Sequence, residues 1–160
     1  MFMLLFAMIQ DVGDWSAYAA DLEGRAPELG KLEVAPSNRE AFFALMAGEG
    51  VYGSFCGFAG THPQQRLQME RLESGSEWQA LRFVLVLGPA VSRLYAAEAL
   101  LRHQPEKDPL DAAVRAAIQK LISEPQPVDV CRGCEYEKTN TAQVLQDKTL
   151  PIQQMWVIQQ

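Results

Sequence analysis

The stretch LRFVLVL at residues 81–87, with Gly88 and Pro89 behind it and AVSRLYAAEALLRH at residues 90–103 beyond, is where the fold is decided. A nearly continuous apolar run of this length fits either a central strand or a buried helix, and periodicity does not separate the two. If the run is helical, Pro89 kinks one long helix. Residues 90–103 read more clearly. A proline is well placed in a first helical turn, and apolar residues on most faces of the segment that follows make it a deeply buried helix.

Upstream, residues 1–9 are apolar but lack the basic start and the small-residue cleavage site of a signal peptide. They are also far short of the roughly 20 apolar residues that span a bilayer, and they read as a buried strand opening the domain. Asp14 stands in capping position for a helix with Trp15, Tyr18, Ala19 and Leu22 on one stripe, ended by Gly24 and Pro27. Ser37 and Glu40 have capping-box spacing for a second helix, with Phe42, Leu45 and Met46 on one face and Gly48 at its end. Thr61 with Gln64 repeats that signature for a polar helix running to Leu72. Between these helices lies GEGVYGSFCGFAG, residues 48–60, with five glycines. So many glycines cost conformational entropy unless tight turns or close approaches require them.

Downstream, Asp108 as cap and Pro109 in the first turn open a helix that carries Leu110, Ala113, Val114, Ala117, Ile118, Leu121 and Ile122 in helical spacing. Pro125 and Pro127 forbid its continuation. VDVCRGCEYEKTNTAQ at residues 128–143 is polar and turn-like, and PIQQMWVIQQ at residues 151–160 reads as a closing strand. The class is therefore α+β: one helix-rich domain over residues 1–160, with a small sheet that uses strands near both termini.

Length and composition place the chain among soluble globular proteins: 160 residues, 48% apolar and 21% charged. Fourteen bases against twenty acids give a net charge of −6, and the absence of a dense Lys/Arg cluster argues against a nucleic-acid surface. Residues 1–60 hold eight of the acids and only three bases. Asp11, Asp21, Glu23 and Glu28 belong to that acidic third, which either forms a solvated face or steers a basic partner.

Cys131 and Cys134 form a C-R-G-C motif, and two thiolates so spaced grip half of a zinc site. Cys56 and His62, six residues apart, are the best candidates to complete a Cys3His set. The same pair suits thiol–disulfide exchange, although Glu135 and Glu137 work against a lowered thiol pKa. The third reading is two inert thiols. An odd cysteine count also fits a reducing compartment, and the protein reads as cytoplasmic. Gly48, Gly50 and Gly53 match G-x-G-x-x-G, but a helix precedes them and no helix former follows, so close backbone packing is the better account than phosphate binding. His62 and His103 sit at helix ends, where capping explains them. Trp15 belongs to a core stripe, Trp156 to the closing strand, and Trp78 has the least obvious core role.

No catalytic constellation emerges. The sequence favours a small binding protein of the inhibitor, toxin-neutralising or adaptor kind over an enzyme, with Asp11, Asp21, Glu23, Glu28 and Trp78 as candidate contacts and another protein, a basic one on the charge argument, as partner. No membrane partner is expected, and any cofactor is a structural zinc ion. The rival reading is a thiol-redox or zinc-dependent enzyme centred on Cys131 and Cys134.

Overall fold

The apolar run is a helix. A computed structural model describes residues 12–103 and 111–158, with eight α-helices and three strands among them. The chain order is α1 (Val12–Arg25), α2 (Arg39–Ala47), β1 (Val51–Tyr52), α3 (Gln64–Ser74), α4 (Trp78–Leu87), α5 (Ala90–His103), α6 (Ala112–Ser123), β2 (Pro127–Arg132), β3 (Glu135–Asn140), α7 (Thr141–Gln146) and α8 (Pro151–Ile158). Short 3-10 turns at Pro27–Leu29 and Pro36–Asn38 link α1 to α2.

Leu81, Phe83, Val84 and Leu85 are all fully buried, which requires α4 to be covered on more than one face. The chain does not continue through Pro89 as a kinked helix. Gly88 takes an extended conformation, donates its N–H to the Val84 carbonyl at 2.8 Å, and leaves a new helix to begin beyond Pro89. A Cβ at Gly88 would lie 2.6 Å from that carbonyl oxygen, so the turn needs glycine. The Arg93 guanidinium then reaches back and donates to the Leu85 carbonyl at 2.7 Å, satisfying one of the acceptors that a helix C-terminus leaves open.

α5 is the centre of the protein. Every residue from 91 to 101 is buried, including Ser92, Arg93 and Glu98, and α3, α4, α8, β1 and β2 pack around it. The sheet has the order β1-β2-β3. Val51 and Tyr52 pair in parallel with Asp129 and Val130, while β2 and β3 form an antiparallel hairpin with Cys131 opposite Tyr136. Val128 and Val130 point to the core, and Asp129 and Lys138 form an ion pair across the other face at 3.6 Å. The helix-rich α+β class with a small sheet stands, and this sheet lies mainly in the C-terminal half.

Several local expectations change. Residues 151–158 form a helix, not a strand, because Pro151 supplies a first-turn position and Ile152 and Trp156, four apart, share the buried face against α5. Residues 128–143, expected to be turn-like, instead hold most of the β2–β3 hairpin and the start of α7. Ser37 lies in a 3-10 turn and neither it nor Asn38 caps α2 through its side chain. Thr61 does not cap α3, since its backbone is bridged to Cys56. α1 is already helical at Val12, so Asp14 lies within it. Asp111 is the cap of α6, accepting from the Ala113 and Val114 amides; Asp108, Pro109, Asp11 and the expected strand at residues 1–9 lie outside the described residues.

Candidate functional site

Two helices bring opposite charges together beneath the glycine-rich segment. Arg66 of α3 and Glu98 of α5 are both buried, and one guanidinium nitrogen contacts both carboxylate oxygens at 3.0 and 3.1 Å. Arg66 also donates to the Gly53 carbonyl at 2.7 Å, and Tyr52 donates its hydroxyl to Glu98 at 2.7 Å. The Tyr95 hydroxyl accepts from the Gly53 amide at 2.9 Å and lies 2.7 Å from the Val51 carbonyl. Arg102 completes the group, bridging Glu98 and Glu73 at 3.0 and 2.8 Å.

The electrostatics follow from that geometry. Burial raises the Tyr52 hydroxyl pKa well above its ordinary value, and the Glu98 charge adds to the effect. Burial likewise raises Tyr95, so both phenols stay protonated through the physiological range. Burial opposes the Arg66 charge, but the Glu98 carboxylate outweighs it and the net shift is upward. With its acceptors shared among Tyr52, Arg66 and Arg102, Glu98 is a saturated structural anion that fixes residues 51–53 against the central helix.

That anchoring continues into the loop at residues 53–61. Cys56 is joined to Cys131 of β2 in a disulfide, with Cα atoms 5.6 Å apart. The Cys56 amide donates to Thr61 and the Gly57 amide to Gly133, each at 2.8 Å. Gly53 passes so close to β2 that a Cβ would overlap the Cys131 sulfur and stand 2.7 Å from the Cys131 carbonyl. Close backbone packing, expected for this glycine segment, is what Gly53 does.

The loop is held at its base and bare at its tip. Phe58 is fully exposed, Phe55 is 53% exposed, and Tyr136 on the adjoining strand is 61% exposed. The position where a Gly57 Cβ would stand is 3.7 Å from the Tyr136 hydroxyl, so that strand residue adjoins the loop. Residues 50–63 carry no Asp, Glu, Lys or Arg. His62 lies against Phe55 with ring centroids 4.5 Å apart, and its Nδ1 is buried without a hydrogen-bond partner among the described residues. Beneath the loop is a cavity of about 440 Å³, whose lining includes Tyr52, Ser54, Arg66, Glu98, Arg132 and Thr149.

The sequence-predicted residues fare unevenly. Cys56 and Cys131 come together, but as partners of each other; Cys134 is exposed with a free thiol in the hairpin turn. The bond of Cys131 to Cys56 takes up two of the four ligands expected for zinc. Among the described residues no group of three or more His, Cys, Asp and Glu is arranged to hold a metal ion. Asp21 pairs with Arg25 at 3.8 Å, Glu23 accepts from the Leu32 amide at 2.7 Å, and Glu28 is exposed on the first 3-10 turn. Trp78 is half-buried and stacks on His103 with centroids 3.6 Å apart.

Sequence reading missed Phe55, Phe58, Arg66 and Glu98. A charge-free stretch with two aromatics, in a chain that is one-fifth charged, was the available signal for the first two; nothing in the polar pattern of α3 marks Arg66 as buried. Among the described residues no helix is long and apolar enough to cross a membrane. Compared with protein-family models, with curated proteins and with solved structures, the chain matches none.

Proposed function

We propose that the protein is a binding module that presents the braced loop at residues 53–61 to another protein. The observation that carries this reading is the full exposure of Phe58 at the tip of a loop whose base is fixed by a disulfide, two backbone hydrogen bonds and the Tyr95 hydroxyl. Exposed aromatics on a rigid support are the usual anchors of protein interfaces, because large apolar area enters a partner pocket with little ordering entropy to lose. The partner therefore offers an apolar pocket for Phe58. The chain's net charge of −6 favours a basic surround to that pocket and speeds the encounter.

This reading moves the recognition element from the acidic first third to the loop. Asp21 and Glu23 have partners inside the protein, and Trp78 is stacked, which supports the shift. A disulfide persists in oxidising surroundings, so the pairing of Cys56 with Cys131 favours such a compartment over the cytoplasm expected from the cysteine count.

Immobilised wild-type protein, a Phe58→Ser variant and a Leu67→Ser variant test the proposal by capture from extracts of the producing cells. Leu67 is 40% exposed on α3, away from the loop tip in sequence. The expected result is one protein retained by wild type and by Leu67→Ser and depleted at least about tenfold by Phe58→Ser, the loss of roughly 1.4 kcal/mol or more that an aromatic anchor supplies. Equal retention by all three would overturn it.

A further inference from the structure

The free thiol of Cys134 stands one residue from the backbone that the disulfide-bonded Cys56 touches. Gly133 is bridged to Cys56 and accepts from the Gly57 amide. Adjacent Cα atoms are about 3.8 Å apart and paired strands about 4.8 Å, so the Cys134 Cα lies within about 9 Å of that of Cys56. A disulfide needs roughly 4.4–6.8 Å, a gap that a turn can close. Gly133 has φ 62° with open space around its Cβ position, and Cys134 is not in the left-handed region, the arrangement of a type II′ turn.

We infer that Cys134 is an exchange thiol for the Cys56–Cys131 disulfide, so that the loop has two covalent anchorages. The Cys134 thiolate attacks the Cys56 sulfur, forming Cys56–Cys134 while the Cys56–Cys131 bond breaks. Cys131 leaves as the thiolate and takes up the proton that Cys134 gave. The step is an isomerisation and needs no external oxidant or reductant.

Two features select Cys56 as the sulfur attacked and Cys131 as the one released. Cys56 is half-exposed whereas Cys131 is buried beneath the loop. The Phe55 carbonyl oxygen lies 3.5 Å from the Cys131 sulfur, where a released S–H finds an acceptor. The charged groups flanking the turn are Arg132, engaged by Asp147 and Glu137, together with Glu135; the loop itself contributes none. Exchange moves the tether from a buried strand residue to an exposed turn residue three positions on, which changes how Phe58 is presented. That consequence rests on the loop being the recognition element; the exchange itself does not.

Disulfide mapping of the full oxidised chain tests the inference. Protein held at about pH 6 and at about pH 8.5, near the ordinary pKa of a cysteine thiol, is trapped in acidic denaturant with N-ethylmaleimide, digested and analysed by mass spectrometry. The expected result is a Cys56–Cys134 species with labelled Cys131, appearing faster at the higher pH because the thiolate is the attacking form. A Cys134→Ser variant is expected to show Cys56–Cys131 alone, and a Cys131→Ser variant to form Cys56–Cys134. Cys56–Cys131 as the sole species of wild type at both pH values, or Cys131–Cys134 as the second species, would overturn the inference. Capture by the Phe58 variants is read separately, so failure of either proposal is seen without the other.

Discussion

The central helix and the glycine loop treat polarity in opposite ways. α5 takes Arg93 and Glu98 into the interior, and each meets a partner there; the loop leaves Phe58 fully exposed and Phe55, which has His62 against one side, half in solvent. The first arrangement is complete. Glu98 shares its oxygens among Tyr52, Arg66 and Arg102, so it has no capacity to spare for a ligand. The second arrangement is open, and the groups of the first hold it in place through Gly53. The difference separates residues that build the site from residues that offer a surface.

The largest effect is expected where the buried network is broken. Glu98→Ala removes the buried partner of the Arg66 guanidinium, leaving only the more exposed Glu70 carboxylate at 3.7 Å, and is expected to cost about 3–5 kcal/mol, measured by urea unfolding. Pairing it with Arg66→Met should recover part of that loss, because no isolated charge then remains inside. A cost for Glu98→Ala below that of an ordinary surface substitution would mean that the pair does not anchor the loop.

Next comes the covalent brace. Cys56→Ser is expected to lower stability by about 2–4 kcal/mol, while Cys134→Ser, at an exposed thiol, leaves it nearly unchanged. Equal effects of the two would contradict the assignment of the disulfide.

A smaller, pH-dependent effect is expected from Tyr52 and Tyr95. Their pKa values are raised in the folded protein, above the unfolded value near 10, so their contribution is fully present below that value and is lost as pH rises beyond it toward the folded pKa. Stability followed by denaturant titration should fall above about pH 10, and Tyr52→Phe should make the fall shallower. The smallest effect belongs to the open surface. Phe58→Ser is expected to change stability by no more than about 0.5 kcal/mol, which lets a binding defect in that variant be read as loss of contact.

The sequence disclosed the fold unevenly, for physical reasons. Helical spacing identified α1, α2 and α6, the proline in its first turn identified α5, and glycine density identified a close approach that Gly53 makes. Residues 81–87 stayed ambiguous because an element buried on several faces shows no amphipathic period. The hairpin was concealed by β3, whose residues are exposed or half-buried throughout. In the closing segment, β-branched and aromatic residues suggested a strand, and burial of Ile152 and Trp156 against α5 prevailed over that propensity. The pairing of Cys56 with Cys131 spans 75 residues, a separation that no local motif encodes; the C-R-G-C spacing pointed instead to the neighbour that stays free. Arg66 lay in a helix that reads as polar, and its burial depends on Glu98, a partner 32 residues away.

The most direct test places a photo-cross-linking phenylalanine analogue at position 58 and, separately, at position 28 in the producing cells. These sites represent the loop and the acidic first third, the two surfaces from which recognition has been argued. A discrete adduct from position 58 and none from position 28 is the expected result. An adduct from position 28 alone would contradict the account and return recognition to the acidic surface.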